Sequence, residues 1–237
     1  MLLTGLILVA AAACRPGIGS PGSGPPSAAG SSPASESAAL RWVALGDSYT
    51  IGTSVDPTER WPDQLIGGLG QRLPTLELVA NLAVNGYTSG DVIEQQLPAL
   101  DALQPGFASL LIGVNDVVQG VPATRFEANA SAILDDLLGR LPADRIVVVA
   151  TPDYTVTPQG GGYGEPAKQA AGIVANNEIL KRLARDRAIT WVDIHDLSLR
   201  AARDLTLVAS DGLHPSGAQY ALWVERILPV VERLLGR

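Results

Sequence analysis

The stretch Leu40-Arg41-Trp42-Val43-Ala44-Leu45-Gly46-Asp47-Ser48 runs an apolar segment directly into a Gly-Asp-Ser turn. Arg41–Leu45 reads as a buried strand, because it is short, continuously apolar after its first residue and closed by a turn residue. Ser48 then stands just past the carboxyl end of that strand, the edge where open parallel α/β sheets bind their ligands. The pattern repeats downstream. Further strand candidates are Leu76–Asn81, Ala108–Ile112, Arg145–Ala150 and Ile189–Ile194, and segments of helical period lie between them at Trp61–Leu73, Ser89–Leu103, Ala123–Leu141 and Ala167–Asp186. Such alternation predicts a five-stranded parallel sheet with helices on both faces.

A last helix is read from the spacing of Tyr220, Val224, Ile227, Leu228, Val231 and Leu235. Ser216 and Gln219 have the spacing of a capping box, in which each side chain satisfies a backbone N–H at the helix entrance. Pro229 is expected to kink this helix or end its regular part.

Three more short motifs follow Gly46-Asp47-Ser48 at predicted strand ends: Asn85-Gly86, Gly113-Val114-Asn115-Asp116 and Asp211-Gly212-Leu213-His214-Pro215. Four separate segments thus converge on one edge of the sheet. A serine hydroxyl attacks poorly until a base takes its proton, and His214 is one of only two histidines in the chain. Asp211, three residues earlier, can hold one ring nitrogen so that the other faces Ser48. Attack on an acyl carbonyl puts negative charge on its oxygen, which calls for preorganised donors. The Ser48 N–H, the Gly86 N–H and the Asn115 side-chain amide are the candidates, glycine at 86 being read as allowing close approach of the backbone.

Each motif alone has a plainer reading as a helix cap or a loop. Their order and shared position argue for one site. Thr50 stands where the Gly-x-Ser-x-Gly elbow of α/β-hydrolases has its second glycine, so that elbow is absent. His195, between Asp193 and Asp196, is the competing base, and its ordinary reading is a hydrogen-bonded loop histidine. Asp47 and Asp116 are read as loop anchors, and Asn81 as fixing the backbone around Gly86. The Gly- and Pro-rich segment Thr151–Pro166, with Tyr154 and Tyr163, is either a substrate-facing loop or a mobile solvent loop.

The chain resembles the SGNH hydrolases, also called GDSL esterases and lipases, over essentially all of Leu40–Arg237. Gly-Asp-Ser-Tyr at 46–49 is similar to their first block and Asn81-Leu-Ala-Val-Asn-Gly86 to their second. Gly-Val-Asn-Asp at 113–116 is similar to the third and Asp-Gly-Leu-His-Pro at 211–215 to the last. The resemblance implies a three-layer α/β/α sandwich of the flavodoxin-like type. It also implies that Ser48, Gly86, Asn115 and His214 are the four name-giving residues and Asp211 the third triad member. The expected chemistry is ester hydrolysis through an acyl-enzyme on Ser48, with no metal or organic cofactor. Arylesters, thioesters, lysophospholipids and sugar O-acetyl groups are all substrates within that family. Short acyl chains are favoured here, since no large apolar lid is evident. Acyl transfer on the same site and a non-catalytic glycan-binding protein are the other readings.

The 237 residues suffice for one domain of ordinary size, and 46% are apolar. A formal charge of −7 with scattered Lys and Arg argues against nucleic acid or an anionic membrane surface as partner. The expected partner is a small-molecule or glycan ester. A single cysteine rules out an internal disulfide and the usual zinc patterns. That residue, Cys14, follows four alanines at the end of an apolar run from Leu2. Residues 1–14 are therefore read as an export signal, either a lipobox whose Cys14 is lipidated or a signal peptide cleaved near Ala13. Residues 15–39, rich in Gly, Pro, Ser and Ala, read as a flexible tether to a hydrolase domain at 40–237. An exported protein, touching membrane only through such an anchor, is expected.

Overall fold

The computed structural model describes residues 39–73 and 76–236. The readings made for residues 1–14, including Cys14, and for the tether up to residue 38 lie outside the described residues. Five strands form one all-parallel sheet: β1 (Leu40–Gly46), β2 (Leu76–Asn81), β3 (Phe107–Leu111), β4 (Ile146–Val149) and β5 (Thr190–Val192), in the spatial order β2-β1-β3-β4-β5. The chain winds outward to β2 on one side and through β3 to β5 on the other, so the order reverses between β1 and β3. A crevice opens at that switch point.

The helices are α1 (Ser48–Ile51), α2 (Trp61–Leu69), α3 (Ser89–Asp91), α4 (Leu100–Leu103), α5 (Val114–Val118), α6 (Ala123–Arg140), α7 (Pro166–Asp186), α8 (His195–Ser198) and α9 (Gly217–Leu235). Two-residue alternation divides the central strands between two cores. On one face Trp42, Ala44, Phe107, Leu111, Val147 and Val149 pack with Trp61 and Leu65 of α2 and with Tyr220, Trp223 and Ile227 of α9. On the other, Val43, Leu45, Ala108, Leu110, Ile146 and Val148 pack with Phe126, Ile133 and Leu137 of α6 and Leu180 of α7. The result is the three-layer α/β/α sandwich expected from the sequence. The one buried polar residue within the central strands is Ser109, which accepts a hydrogen bond from Trp42 Nε1 at 3.0 Å and so satisfies a buried indole.

β2 has the bounds read from the sequence, the ends of the other four strands differ from that reading by one or two residues, and three helical readings need correction. The single helix read over Ser89–Leu103 is broken into α3, a π-helical turn at Val92–Gln96, a 3₁₀ turn at Leu97–Ala99 and α4. Pro98 supplies no N–H, and the buried Gln96 points inward, its amide donating to Gly46 O at 2.7 Å and accepting from Gly46 N at 3.0 Å. The helix read over Trp61–Leu73 gives way at Gly70, φ +33°, to a 3₁₀ turn.

In α9, Ser216 caps as expected, accepting from Gln219 N, but the Gln219 side chain does not return to the entrance. It is buried and donates to Leu207 O at 3.1 Å, so the box is only half made. Nor does Pro229 end the helix, which continues to Leu235. Pro229 and Glu225, whose carbonyl loses its partner, are both exposed, so water can take the missing bond.

Candidate active site

At the end of β1 the backbone turns on Gly46. A Cβ there would lie 2.4 Å from Leu111 O on β3, so only glycine lets the two strands stay paired up to the turn. Asp47 caps the short helix α1, its Oδ1 accepting from Tyr49 N at 3.0 Å. Ser48 follows as the first helical residue and is nearly buried. Its backbone N–H and that of Gly86 donate to no other group among the described residues.

The second motif is tied to the first. Asn81 Nδ2 donates to Thr50 O at 2.8 Å, and Asn81 Oδ1 accepts from Ala83 N at 3.2 Å. Asn81 thus anchors the chain after β2 to α1, several residues ahead of Gly86. Gly86 has φ +80°, and a Cβ placed on it would meet no atom within 4 Å. The left-handed backbone is what calls for glycine here. Its carbonyl accepts from Gln119 Nε2 at 3.0 Å.

After β3 the chain enters α5. Asn115 Nδ2 donates to Tyr87 O at 2.9 Å and makes a longer, 3.4 Å contact with Asp47 Oδ2. Asp116 is a loop anchor, as read: its carboxylate accepts from Ser89 N at 2.9 Å and Ser89 Oγ at 2.5 Å. Burial raises the Asp116 carboxyl, partly offset by those two bonds.

Before α9, an antiparallel bridge between Val208 and Pro215 closes a loop that carries Asp211 and His214. Asp211 Oδ1 accepts from Leu213 N and His214 N at 2.9 and 3.0 Å, and Oδ2 lies 2.6 Å from His214 Nδ1. Burial acts to raise the Asp211 carboxyl, but bonds from the His214 ring, the Leu213 and His214 N–H groups and the Ser54 hydroxyl outweigh it and hold it down at about 2. The imidazole also packs against the Tyr49 ring, 5.2 Å between centroids.

These segments enclose a cavity of about 200 Å³ lined by Ser48, Gly86, Asn115 and His214 together with Tyr49, Asn85, Val114, Val118, Leu213, Tyr154 and Tyr163. Asp211 stands behind His214. Ser48 Oγ makes no hydrogen bond with another described residue; serine-to-imidazole bonds commonly tighten only once substrate is bound. The segment Thr151–Pro166 faces this cavity, with Tyr154 buried and Tyr163 45% exposed in a T-shaped pair. His195 is elsewhere, in a separate small cavity with Trp191, Asp193 and Glu178, its Nε2 4.0 Å from Asp153 Oδ2. Sequence reasoning missed the apolar wall of Val114, Val118 and Leu213, although the first and last lie inside quoted motifs. It also missed Ser54, whose Oγ donates to Asp211 Oδ2 at 2.7 Å from a position no motif marks.

Solved structures share the fold. An α/β hydrolase enzyme, LAE5, from the metagenome of Lake Arreo, Spain, is 20% identical with a TM-score of 0.65, covering 84% of this chain and 97% of its own. The psychrotrophic esterase EstA from Pseudoalteromonas sp. is 16% identical with a TM-score of 0.63, covering 84% and 100%. Axe2, an acetylxylan esterase from Geobacillus stearothermophilus, is 18% identical with a TM-score of 0.64, covering 82% and 94%. No curated protein matches the chain in sequence. The model of the GDSL-like Lipase/Acylhydrolase family matches residues 44–222, which contain all four motifs, and the chain therefore belongs to this family of ester hydrolases.

Proposed function

We propose that the protein is a serine esterase that cleaves short-chain carboxylic esters through an acyl-enzyme on Ser48. The observation that carries the reading is the 2.6 Å Asp211–His214 pair on the cavity that Ser48 also lines. Asp211, held at about 2, stays ionised across the working pH range and fixes His214 with Nδ1 protonated, leaving Nε2 free to act as base.

Ser48 Oγ attacks the acyl carbon as its proton passes to His214 Nε2. The carbonyl oxygen becomes an oxyanion, held by the Ser48 and Gly86 N–H groups and by Asn115. One Asn115 N–H is committed to Tyr87 O; the other, in its 3.4 Å contact with Asp47, is the one an oxyanion would take. Collapse of the intermediate breaks the ester bond and returns the proton from His214 to the leaving alcohol. Water then repeats the sequence on the acyl-enzyme and frees the carboxylic acid.

The acyl preference rests on size and lining. A cavity of about 200 Å³ is smaller than the roughly 300–1,000 Å³ of drug-sized sites, and its wall of Val114, Val118 and Leu213 is apolar. No Lys or Arg lines it, so an anionic substrate would find no counter-charge. A second reading, sugar O-deacetylation, is favoured by the half-open Tyr163 beside the cavity, a face on which a sugar ring can stack, and by the acetylxylan esterase among the similar structures. The proposal also has residues 1–14 direct export, Cys14 carry a lipid and 15–39 act as tether.

Hydrolysis of p-nitrophenyl acetate, butyrate and palmitate, beside Ser48→Ala, tests the main reading. Turnover of the two shorter esters that disappears in Ser48→Ala is the expected result; turnover surviving in the variant would remove Ser48 from its role. Acetate release from acetylated xylo-oligosaccharides in place of these esters would favour the second reading.

A further inference from the structure

Ser54, in the loop after α1, is one of three non-glycine residues with positive φ among the described residues, at +65°. An L residue with a Cβ enters that region at a cost, and such conformations persist where surrounding contacts fix them. Here the contacts are explicit. Thr53 Oγ1 donates to Asn85 Oδ1 at 2.5 Å, next to Gly86, and Ser54 Oγ donates to Asp211 Oδ2 at 2.7 Å across 157 residues of chain.

The Asp211 carboxylate receives four donors. Three come from its own turn: the Leu213 and His214 N–H groups on Oδ1, and the His214 ring on Oδ2. Ser54 is the fourth and the one supplied by a different segment. It shares Oδ2 with the imidazole, so it bears on both the rotation of the carboxylate and the charge that oxygen presents to the ring. The other titratable groups close enough to act on Asp211 or the imidazole are Tyr49 on α1, Tyr220 on α9 and, through Tyr49, Asp47 and Tyr154. None is a cation, so no other side chain on this list offsets the carboxylate charge.

We propose that Ser54 is a positioning residue for the Asp211–His214 pair, its hydroxyl setting the carboxylate orientation and tempering the charge on Oδ2. The inference rests on the reading of His214 as the catalytic base. Because Ser54 is exposed, water can partly replace its hydroxyl, and the effect of losing it is modest.

Three variants separate the possibilities in kcat, KM and pH profile on p-nitrophenyl acetate, each with a thermal melt. Ser54→Gly keeps the left-handed backbone without strain and removes the hydroxyl. It should lower kcat about threefold with KM unchanged, as expected for one net hydrogen bond. The acid limb of kcat/KM should move upward by about half a pH unit, because the uncompensated carboxylate favours the imidazolium. Its melting temperature should not fall. Ser54→Thr keeps the hydroxyl but places a β-branched side chain at positive φ, so it should melt lower while retaining the wild-type profile. A Ser54→Gly profile that overlays the wild type, or a Ser54→Thr profile displaced as far as that of Ser54→Gly, would overturn the proposal. His214→Ala keeps the two failures apart: activity surviving in it sinks the reading of the base itself, whereas its inactivity beside an unaltered Ser54→Gly sinks only the role of Ser54.

Discussion

Asp47 is buried beside Asp116 and Tyr220 with one backbone donor and the longer Asn115 amide contact on its carboxylate, whereas Asp211 is partly open to solvent and gathers four donors within 3.0 Å. The consequences run in opposite directions. Burial, with a smaller contribution from the Asp116 charge, pushes Asp47 up to about 7, while hydrogen bonds hold Asp211 at about 2. Two aspartates of one site thus ionise at widely separated pH because of how many donors reach each and how much water remains, the logic by which environments assign separate roles to like groups. In the proposed mechanism Asp211 is kept ionised where an imidazolium needs it. Asp47 serves as the cap of the helix that carries Ser48, and there its neutral form is the cheaper one to bury.

The strongest way to break this comparison is Asp211→Asn, which keeps the shape and removes the charge. A turnover loss of about 10⁴ in kcat is expected with the fold retained, because the amide no longer holds the imidazole in its working tautomer. Steady-state kinetics with circular dichroism on the same sample checks both halves. A loss below about tenfold would place Asp211 among the structural carboxylates with Asp47.

Asp47→Asn probes the other side. Between about 4 and 7 the folded protein holds a proton on Asp47 that the unfolded chain has released, so stability falls as pH rises through that window. The cost at pH 8 relative to pH 5 is about 3 kcal/mol, from the roughly two pH units between 5 and the folded value of about 7. Asn retains an acceptor for Tyr49 N–H and does not titrate. Urea midpoints at pH 5 and pH 8 should therefore separate in the wild type and draw together in the variant, with activity kept within about tenfold. Equal separations in both proteins would contradict the account of Asp47.

The smallest effect is expected from Tyr220→Phe. The Tyr220 hydroxyl is buried without a hydrogen-bond partner among the described residues, close enough to Asp47 and Asp211 to feel both. Removing it should leave stability unchanged or raise it by up to about 1 kcal/mol. A clear loss in the urea midpoint would mean that the hydroxyl is bonded to one of the two carboxylates.

What the sequence made legible follows from the range of the forces involved. The strands were readable because β1, β3 and β4 are apolar on both sides, and α6, α7 and α9 because their apolar faces recur at helical spacing. Ser48 and Asn115 could be picked out because they sit in short contiguous motifs at strand ends, and Asp211 and His214 because theirs stands directly before the last helix. Whatever depended on a distant partner was opaque. Gln96 looks like any polar helical residue until Gly46 is placed beside it, and Gln219 fits a capping box until Leu207 O competes for its amide. Pro229 breaks a helix on paper, yet it lies on the exposed side of α9. Ser54 has no local signal, because its strain and its bond to Asp211 exist only after residues 54 and 211 meet.

The Gln96 side chain, bonded to both the N–H and the C=O of Gly46, acts on β1 as a neighbouring strand would, at the point where the chain leaves the sheet for Ser48. The turn before the serine is thereby stapled to the layer packed on the opposite face. Its opening is not a private fluctuation of an exposed loop. It must lift a segment of that layer, so the Gly46 N–H is expected among the slowly exchanging amides that open only with cooperative unfolding, although the turn it belongs to borders the crevice.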